Sequence, residues 1–296
     1  MNFHHKPVLI KESIENLITD QDGIYVDATF GGGGHSYAIL NKLNQKATLI
    51  ALDQDKESIK KNFIIDERFH LFHNNFIHIR DILNHNKIDK VSGILADLGI
   101  SSLQMDNPIR GFSNRFNCLL DMRMNTESLY SAQNVLNEYS KQELFHIFYE
   151  YGEFKNAQKI ADKILKKRLK KNITTTWDLV HLFFVKGSFK KRKRFFARLF
   201  QSIRIEVNNE INVLKNFLLE SSKIILPKGR IAVISYHSVE DRIVKYFLKK
   251  GIITNQINFQ TIPFRMIHKK AIKPSFQEII NNPRSRSAKL RIAEKT

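Results

Sequence analysis

The stretch Ile24-Tyr25-Val26-Asp27-Ala28-Thr29-Phe30-Gly31-Gly32-Gly33-Gly34-His35-Ser36 decides the fold. It reads as a short apolar strand ending in an acid, a four-glycine bend, and the start of a helix running from Ser36 to Leu43. Glycines between a strand and a helix let the backbone approach a ligand closely. Downstream, Thr48–Asp53 is a second apolar run that also ends in an acid. Lys56–Phe63 follows as a helix, Phe69–Asn74 as a third strand and Val91–Leu98 as a fourth. Strands that are continuously apolar rather than alternating, separated by helices, imply βαβ units and a mostly parallel sheet with both faces covered.

Asp53 stands 19 residues beyond Gly34, near the spacing of about 20 at which an acid on the next strand meets ribose hydroxyls. A nucleoside-containing cofactor is therefore expected, and both NAD and S-adenosyl-L-methionine suit the pattern. Asp27 favours the second, since a carboxylate beside the loop repels a pyrophosphate and suits a cationic aminoacyl sulfonium.

The next comparable strand, Gly229–Ser235, comes about 130 residues after the fourth, whereas a βαβ crossover takes about 30. Helical spacing fills the interval at Ser131–Tyr151, Lys155–Lys171, Thr176–Lys186 and Arg198–Leu226. The expected architecture is an α/β, Rossmann-like sheet domain (1–108 and 206–296) with an inserted helical domain (109–205).

The chain has 48 Lys and Arg against 29 Asp and Glu, a net charge of +19. Compositional drift would spread this excess along the chain. Instead Lys155–Arg204 carries 16 bases and two acids, Arg265–Thr296 nine bases and two acids, and the remainder is slightly acidic. Concentrated charge points to a polyanionic partner. Lys190-Lys191-Arg192-Lys193-Arg194, with Phe189, Phe195 and Phe196 interleaved, is the expected phosphate-binding stretch.

Cys118 is the one cysteine, so an internal disulfide is excluded and a reducing, cytoplasmic setting is expected. No apolar run reaches the ~20 residues of a membrane helix, and the first twenty residues lack a signal-peptide core. The eleven histidines form no metal-ligand pattern, so no metal is expected.

Several motifs together resemble a known family, the bacterial 16S rRNA cytosine-N4 methyltransferases (MraW). They are His5–Leu9, Asp27–Ser36, Ala96–Ser102 running on to Gln104, Arg110–Ser113, Leu120–Met124, Phe200–Asn208, Ile234–Arg242 and Asn282–Arg291. The resemblance implies a class I methyltransferase fold with S-adenosyl-L-methionine as cofactor. It also implies 16S rRNA of the small ribosomal subunit as partner and N4 of cytosine 1402 in the decoding region as target, with neither DNA nor membrane involved. It places cofactor contacts on Gly33, Gly34, His35, Asp53, Phe76, Asp97 and Gln104. This chain departs from the family's usual wording at Leu103, at Asn117-Cys118-Leu119 and at Arg194-Phe195.

Asp97, ending the fourth strand, is expected either to contact the cofactor or to accept the target amine, the first being favoured. At the end of the late strand, Tyr236 could stack on a flipped base and His237 could take a proton, or His237 could simply satisfy backbone groups at the strand-to-helix corner. Two other functions fit the same residues. One is a methyltransferase acting on DNA cytosine or another RNA, the other a non-catalytic RNA-binding assembly factor.

Overall fold

A computed structural model of the chain describes residues 7–254, 257–258 and 262–296, so His5 and Lys6 of the first motif lie outside the described residues. By compactness the chain divides into Met1–Ser101 with Asn212–Thr296, and Ser102–Ile211. The sequence reading drew these joins at 108/109 and 205/206.

The first unit opens with α1 (Ile10–Leu17), β1 (Ile24–Asp27), α2 (Gly34–Leu40), β2 (Thr48–Asp53), α3 (Lys56–Lys60), β3 (Phe69–His73), α4 (Ile79–His85) and β4 (Val91–Asp97). The second unit is helical: α5 (Ser102–Asp106), α6 (Ala132–Glu138), α7 (Lys141–His146), α8 (Ala157–Arg168), α9 (Thr176–His181) and α10 (Phe189–Val207). From α11 (Glu210–Ile224) the chain returns to the first unit. There it adds β5 (Ile225–Ser235), α12 (Ser238–Lys250), β6 (Ile252–Thr254), β7 (Ile257–Asn258), β8 (Phe264–Met266), α13 (Phe276–Asn281) and β9 (Lys289–Lys295).

Seven strands form one sheet in the order β3-β2-β1-β4-β5-β9-β8. The first five are mutually parallel, while β9 and β8 are antiparallel. Side chains alternate between two covered faces. Val26, Ile50, Leu52, Ile94, Ala96, Ile231 and Val233 meet α4, α11 and α12, whereas Tyr25, Leu49, Ala51, Leu95, Ala232 and Ile234 meet α1 and α2. A sheet buried on both faces needs apolar residues at successive positions, which is why these strands read as unbroken runs. The order reverses between β1 and β4, and open α/β sheets bind ligands outside the carboxyl ends of the strands at such a switch point.

Where helices were expected to be long, the structure breaks them for local reasons. Ser131–Tyr151 is not one helix: Ser140 starts α7 with a capping box to Glu143, and Ile147–Tyr151 closes as a π-type turn. Arg198–Leu226 breaks after Asn208, where Asn209 adopts a left-handed φ of 49°. The late strand begins earlier than Gly229, at Ile225, with an irregularity opposite Val91 and Gly93.

Within the second unit, Leu136, Leu144, Phe148, Ile160, Ile164, Leu179, Leu199 and Ile203 are buried. Three of the matching motifs brace it. The Arg110 guanidinium donates to the carbonyls of Arg123 and Met124. Asn208 donates to the Met122 carbonyl at 2.8 Å and accepts from the Met124 amide at 2.7 Å. Asp121 holds Arg123 at 2.7 Å.

Candidate cofactor crevice

The stem of the glycine loop is woven into the sheet. The Ala28 amide donates to the Leu95 carbonyl and the Phe30 amide to the Leu52 carbonyl, both at 2.8 Å. Between them Thr29 turns inward, and its hydroxyl oxygen accepts from the Asp97 amide at 2.7 Å. Gly31 and Gly33 adopt φ of 54° and 75°, a region that favours glycine. A Cβ on Gly33 would strike the Phe30 ring at 2.8 Å, and one on Gly34 would lie 2.2 Å from Pro7 Cγ. A Cβ on Gly32 would meet nothing within 4 Å, so the loop is packed from beneath and open at its tip.

Three carboxylates surround this loop, from the ends of three adjacent strands. Asp27 is fully buried and faces the loop's own framework, accepting from the Ser36 hydroxyl at 2.6 Å and the Thr29 amide at 3.1 Å. It thus organises the loop rather than facing a ligand, and burial raises its pKa. Asp53 accepts the Gly31 amide on one oxygen and the Asp55 amide on the other, each at 2.8 Å. The Ser58 hydroxyl is a third donor, and the acceptor position that remains is open to a ligand hydroxyl. Burial pushes its pKa up to about 6 against the pull of those amides.

Asp97 accepts the Tyr236 hydroxyl at 2.8 Å on Oδ1, while Oδ2 stands 3.8 Å from His35 Nδ1. Burial pushes its pKa also up to about 6, with His35 and Tyr236 pulling the other way. His35 is buried, and its Nε2 donates to the Val8 carbonyl at 3.1 Å. The segment ahead of α1 is tied in further by the Leu9 amide, which donates to Glu278 of α13 at 2.8 Å. The loop Asp27–His35 contains no Lys or Arg. Carboxylates at three strand ends, beside a loop without Lys or Arg, disfavour a pyrophosphate and suit a ligand that is itself positive.

Gly33, Gly34, His35, Asp53 and Asp97 thus lie together at the carboxyl ends of β1, β2 and β4. Phe76 opens a short 3₁₀ turn after β3 and packs edge-on against Phe217 at 5.0 Å. Gln104 belongs to the second unit, buried on α5.

His237 sits at the N-cap of α12. Its Nδ1 accepts from the Glu240 amide at 3.4 Å and its Nε2 stands 2.9 Å from Glu240 Oε1, while Glu240 Oε2 accepts the Tyr236 amide at 2.9 Å. The ring is almost wholly buried in this cap, where its Nδ1 faces a backbone amide. Tyr236 likewise spends its hydroxyl on Asp97 instead of presenting a free ring. Sequence reasoning missed Thr29, Ser36 and Pro7, although all three lie in or beside the matching motifs. The late motifs meet as well: Asp241 accepts Lys289 and Arg291, each at 2.8 Å.

The fold is α/β, of the class I methyltransferase type. A model of the MraW methylase family matches residues 2–296. Ribosomal RNA small subunit methyltransferase H of Karelsulcia muelleri is 49% identical over 300 residues, spanning 100% of this chain and 99% of that protein. The protein of the same name from Flavobacterium johnsoniae is 47% identical over 298 residues, spanning 99% and 98%. Among solved structures, a putative rRNA methylase from Clostridium thermocellum aligns over 99% of both chains at 13% identity, with a TM-score of 0.46. The chain belongs to the MraW methylase family, as its motifs indicated, and its cofactor is S-adenosyl-L-methionine. Among the described residues, no helix is long and apolar enough to cross a membrane.

Proposed function

We propose that this protein transfers a methyl group from S-adenosyl-L-methionine to N4 of cytosine 1402 in the decoding region of 16S rRNA, acting on the small ribosomal subunit in the cytoplasm. The observation that carries the reading is the end-to-end match to relatives called Ribosomal RNA small subunit methyltransferase H. The motifs quoted from this sequence support the finer target. The carboxylates at three strand ends, beside a loop without Lys or Arg, support the sulfonium.

Bound there, the cofactor supplies an electrophilic methyl group. Asp53 offers its remaining acceptor position to a ribose hydroxyl, and the backbone of Gly33, Gly34 and His35 shapes the loop around the ligand. Phe76, braced by Phe217, offers an apolar edge. Gln104 keeps the cofactor role that its motif implies. Asp97 serves chiefly on the cofactor side. Ionised above a pH of about 6, it attracts the positive sulfur.

The amine on cytosine C4 is a weak nucleophile, because its lone pair is delocalised into the ring. Positioning and water exclusion are the main contributions open to the protein. Should Asp97 also accept an amine N–H, Tyr236 keeps one of its oxygens oriented for that task. His237 is left out as a base because its ring belongs to the α12 cap. The basic second unit holds the RNA, through Lys190–Arg194 in particular.

The test uses small subunits from cells lacking the gene. Incubation with protein and cofactor should add one methyl mass to the decoding-region fragment, with N4-methylcytidine in its digest. An unchanged fragment overturns the proposal, and methyl transfer to duplex DNA or to another RNA redirects it. Calorimetry without cofactor binding would leave only a non-catalytic RNA-binding role.

A further inference from the structure

The start of α10 is a surface that cofactor binding does not use. Ser188 caps the helix, its hydroxyl oxygen accepting from the Lys191 amide at 3.4 Å. Every residue from Phe189 to Arg194 is exposed, and burial begins only at Phe196. An amphipathic helix packed along its length would bury one residue in every three or four. Six exposed residues in succession, about 9 Å of helix, therefore stand clear of the core of their own unit. Lys190, Lys191, Arg192, Lys193 and Arg194 form no ion pair among the described residues. They also gather at the helix end where the backbone dipole disfavours cations. Stability alone does not select that arrangement, whereas an anionic partner offsets both penalties.

The aromatic residues nearby divide into two groups. Phe195 lies 5.3 Å from Phe154, 5.5 Å from Phe183 and 5.3 Å from Phe196, ring centre to ring centre, and Phe196 is buried. These two phenylalanines anchor α10 and are not available to a nucleic acid, contrary to the reading of them as interleaved contacts. Phe184 and Phe189, by contrast, are 81% and 74% exposed, on either side of the Gly187-Ser188 turn. Five residues apart, they lie within about 17 Å of one another even on a fully extended chain.

We propose that Phe184 and Phe189 form a stacking platform for unpaired bases, flanked by phosphate-binding Lys186 and Lys190–Arg194, so that the RNA segment gripped by the second unit is single-stranded. The inference rests on the RNA-methylation reading and adds the kind of RNA contacted. Phenyl rings carry no hydrogen-bonding group, so they gain little from a duplex backbone. In an A-form helix the base faces are already occupied by one another. On a single strand every base offers a face to a ring, while the cations track the phosphates.

Fluorescence anisotropy on the full chain tests this with three probes: a short oligouridylate, an abasic backbone of equal length, and a blunt-ended RNA duplex. F184A/F189A should weaken oligouridylate binding about tenfold. It should leave the slope of log Kd against log salt unchanged, and leave the abasic and duplex probes unaffected. Phe184→Trp with Phe189→Trp should restore binding, and K190Q/K193Q should flatten the slope for all three probes. Wild-type affinity in F184A/F189A, or an equal loss on the abasic probe, overturns the platform. So does tighter binding to vesicles of anionic lipid than to oligouridylate. Methyl transfer to small subunits is read separately by mass, so failure of the platform and failure of the methylation reading give different results.

Discussion

Acidifying the crevice should switch off cofactor binding over a narrow range. Asp53 and Asp97 both titrate near 6, raised from 3.8 by burial. On the proposed reading the ligand needs both ionised, one to accept ribose hydroxyls and the other to balance a positive sulfur. A carboxylate that must lose its proton before binding weakens the apparent affinity about tenfold at one pH unit below its pKa, and hardly at one unit above. Two such groups make binding about 100-fold weaker at pH 5 than at pH 7, while one alone gives about tenfold. The cofactor-free protein responds in the opposite sense. A raised carboxylate pKa means that the folded state holds the proton more tightly than the unfolded chain. That stability is complete below the unfolded value of 3.8 and is lost as pH rises through 6, on the order of 2–3 kcal/mol for each group. Calorimetric titration with S-adenosyl-L-methionine at pH 5, 6 and 7, in buffers of differing ionisation enthalpy, reads both affinity and protons released. Close to two protons should leave per cofactor at pH 5, and close to one in Asp97→Asn. Affinity that stays level from pH 5 to 7, with no proton released, refutes the reasoning.

The other predictions address single contacts. Asp53→Ala should weaken the cofactor by about 1–3 kcal/mol in the same calorimetry, the scale of hydrogen bonds lost at a buried polar group. Tyr236→Phe removes a hydrogen bond that lowers the Asp97 pKa, so the midpoint of the binding profile should move to higher pH. Gly34→Ala drives a methyl into Pro7 and should cost about 1–3 kcal/mol in denaturant unfolding. K190Q/K191Q relieves cations at the wrong end of α10 and should raise the melting midpoint by about 1–3 °C while weakening RNA binding.

The parallel half of the sheet was legible because strands buried on both faces have no polar positions to hide them. The antiparallel half was not. Lys289–Lys295 mixes Lys, Arg and Glu with Leu, Ile and Ala, and finds its partners only through pairing with β5 and β8. The glycine loop and its acids were legible from spacing, but what each acid does depends on direction. Asp27 looked like a ligand's counter-charge until its oxygens were found on Ser36 and Thr29. His237 is similar: a titratable ring at a strand end is ambiguous in sequence, and its contacts with Glu240 appear only in the fold. The division of labour among Phe184, Phe189, Phe195 and Phe196 is likewise hidden in sequence, because Phe184 lies in the loop before α10 and the other three share the first eight residues of that helix.

The clasp of the Leu9 amide by Glu278, together with Tyr236 on Asp97, joins parts of the chain that are far apart in sequence. Every glycine and acid of the crevice lies within the first hundred residues, yet Tyr236 stands 139 residues beyond Asp97 and Glu278 269 residues beyond Leu9. The amino-terminal loop is thus braced by β5 and α13, which follow the whole second unit along the chain.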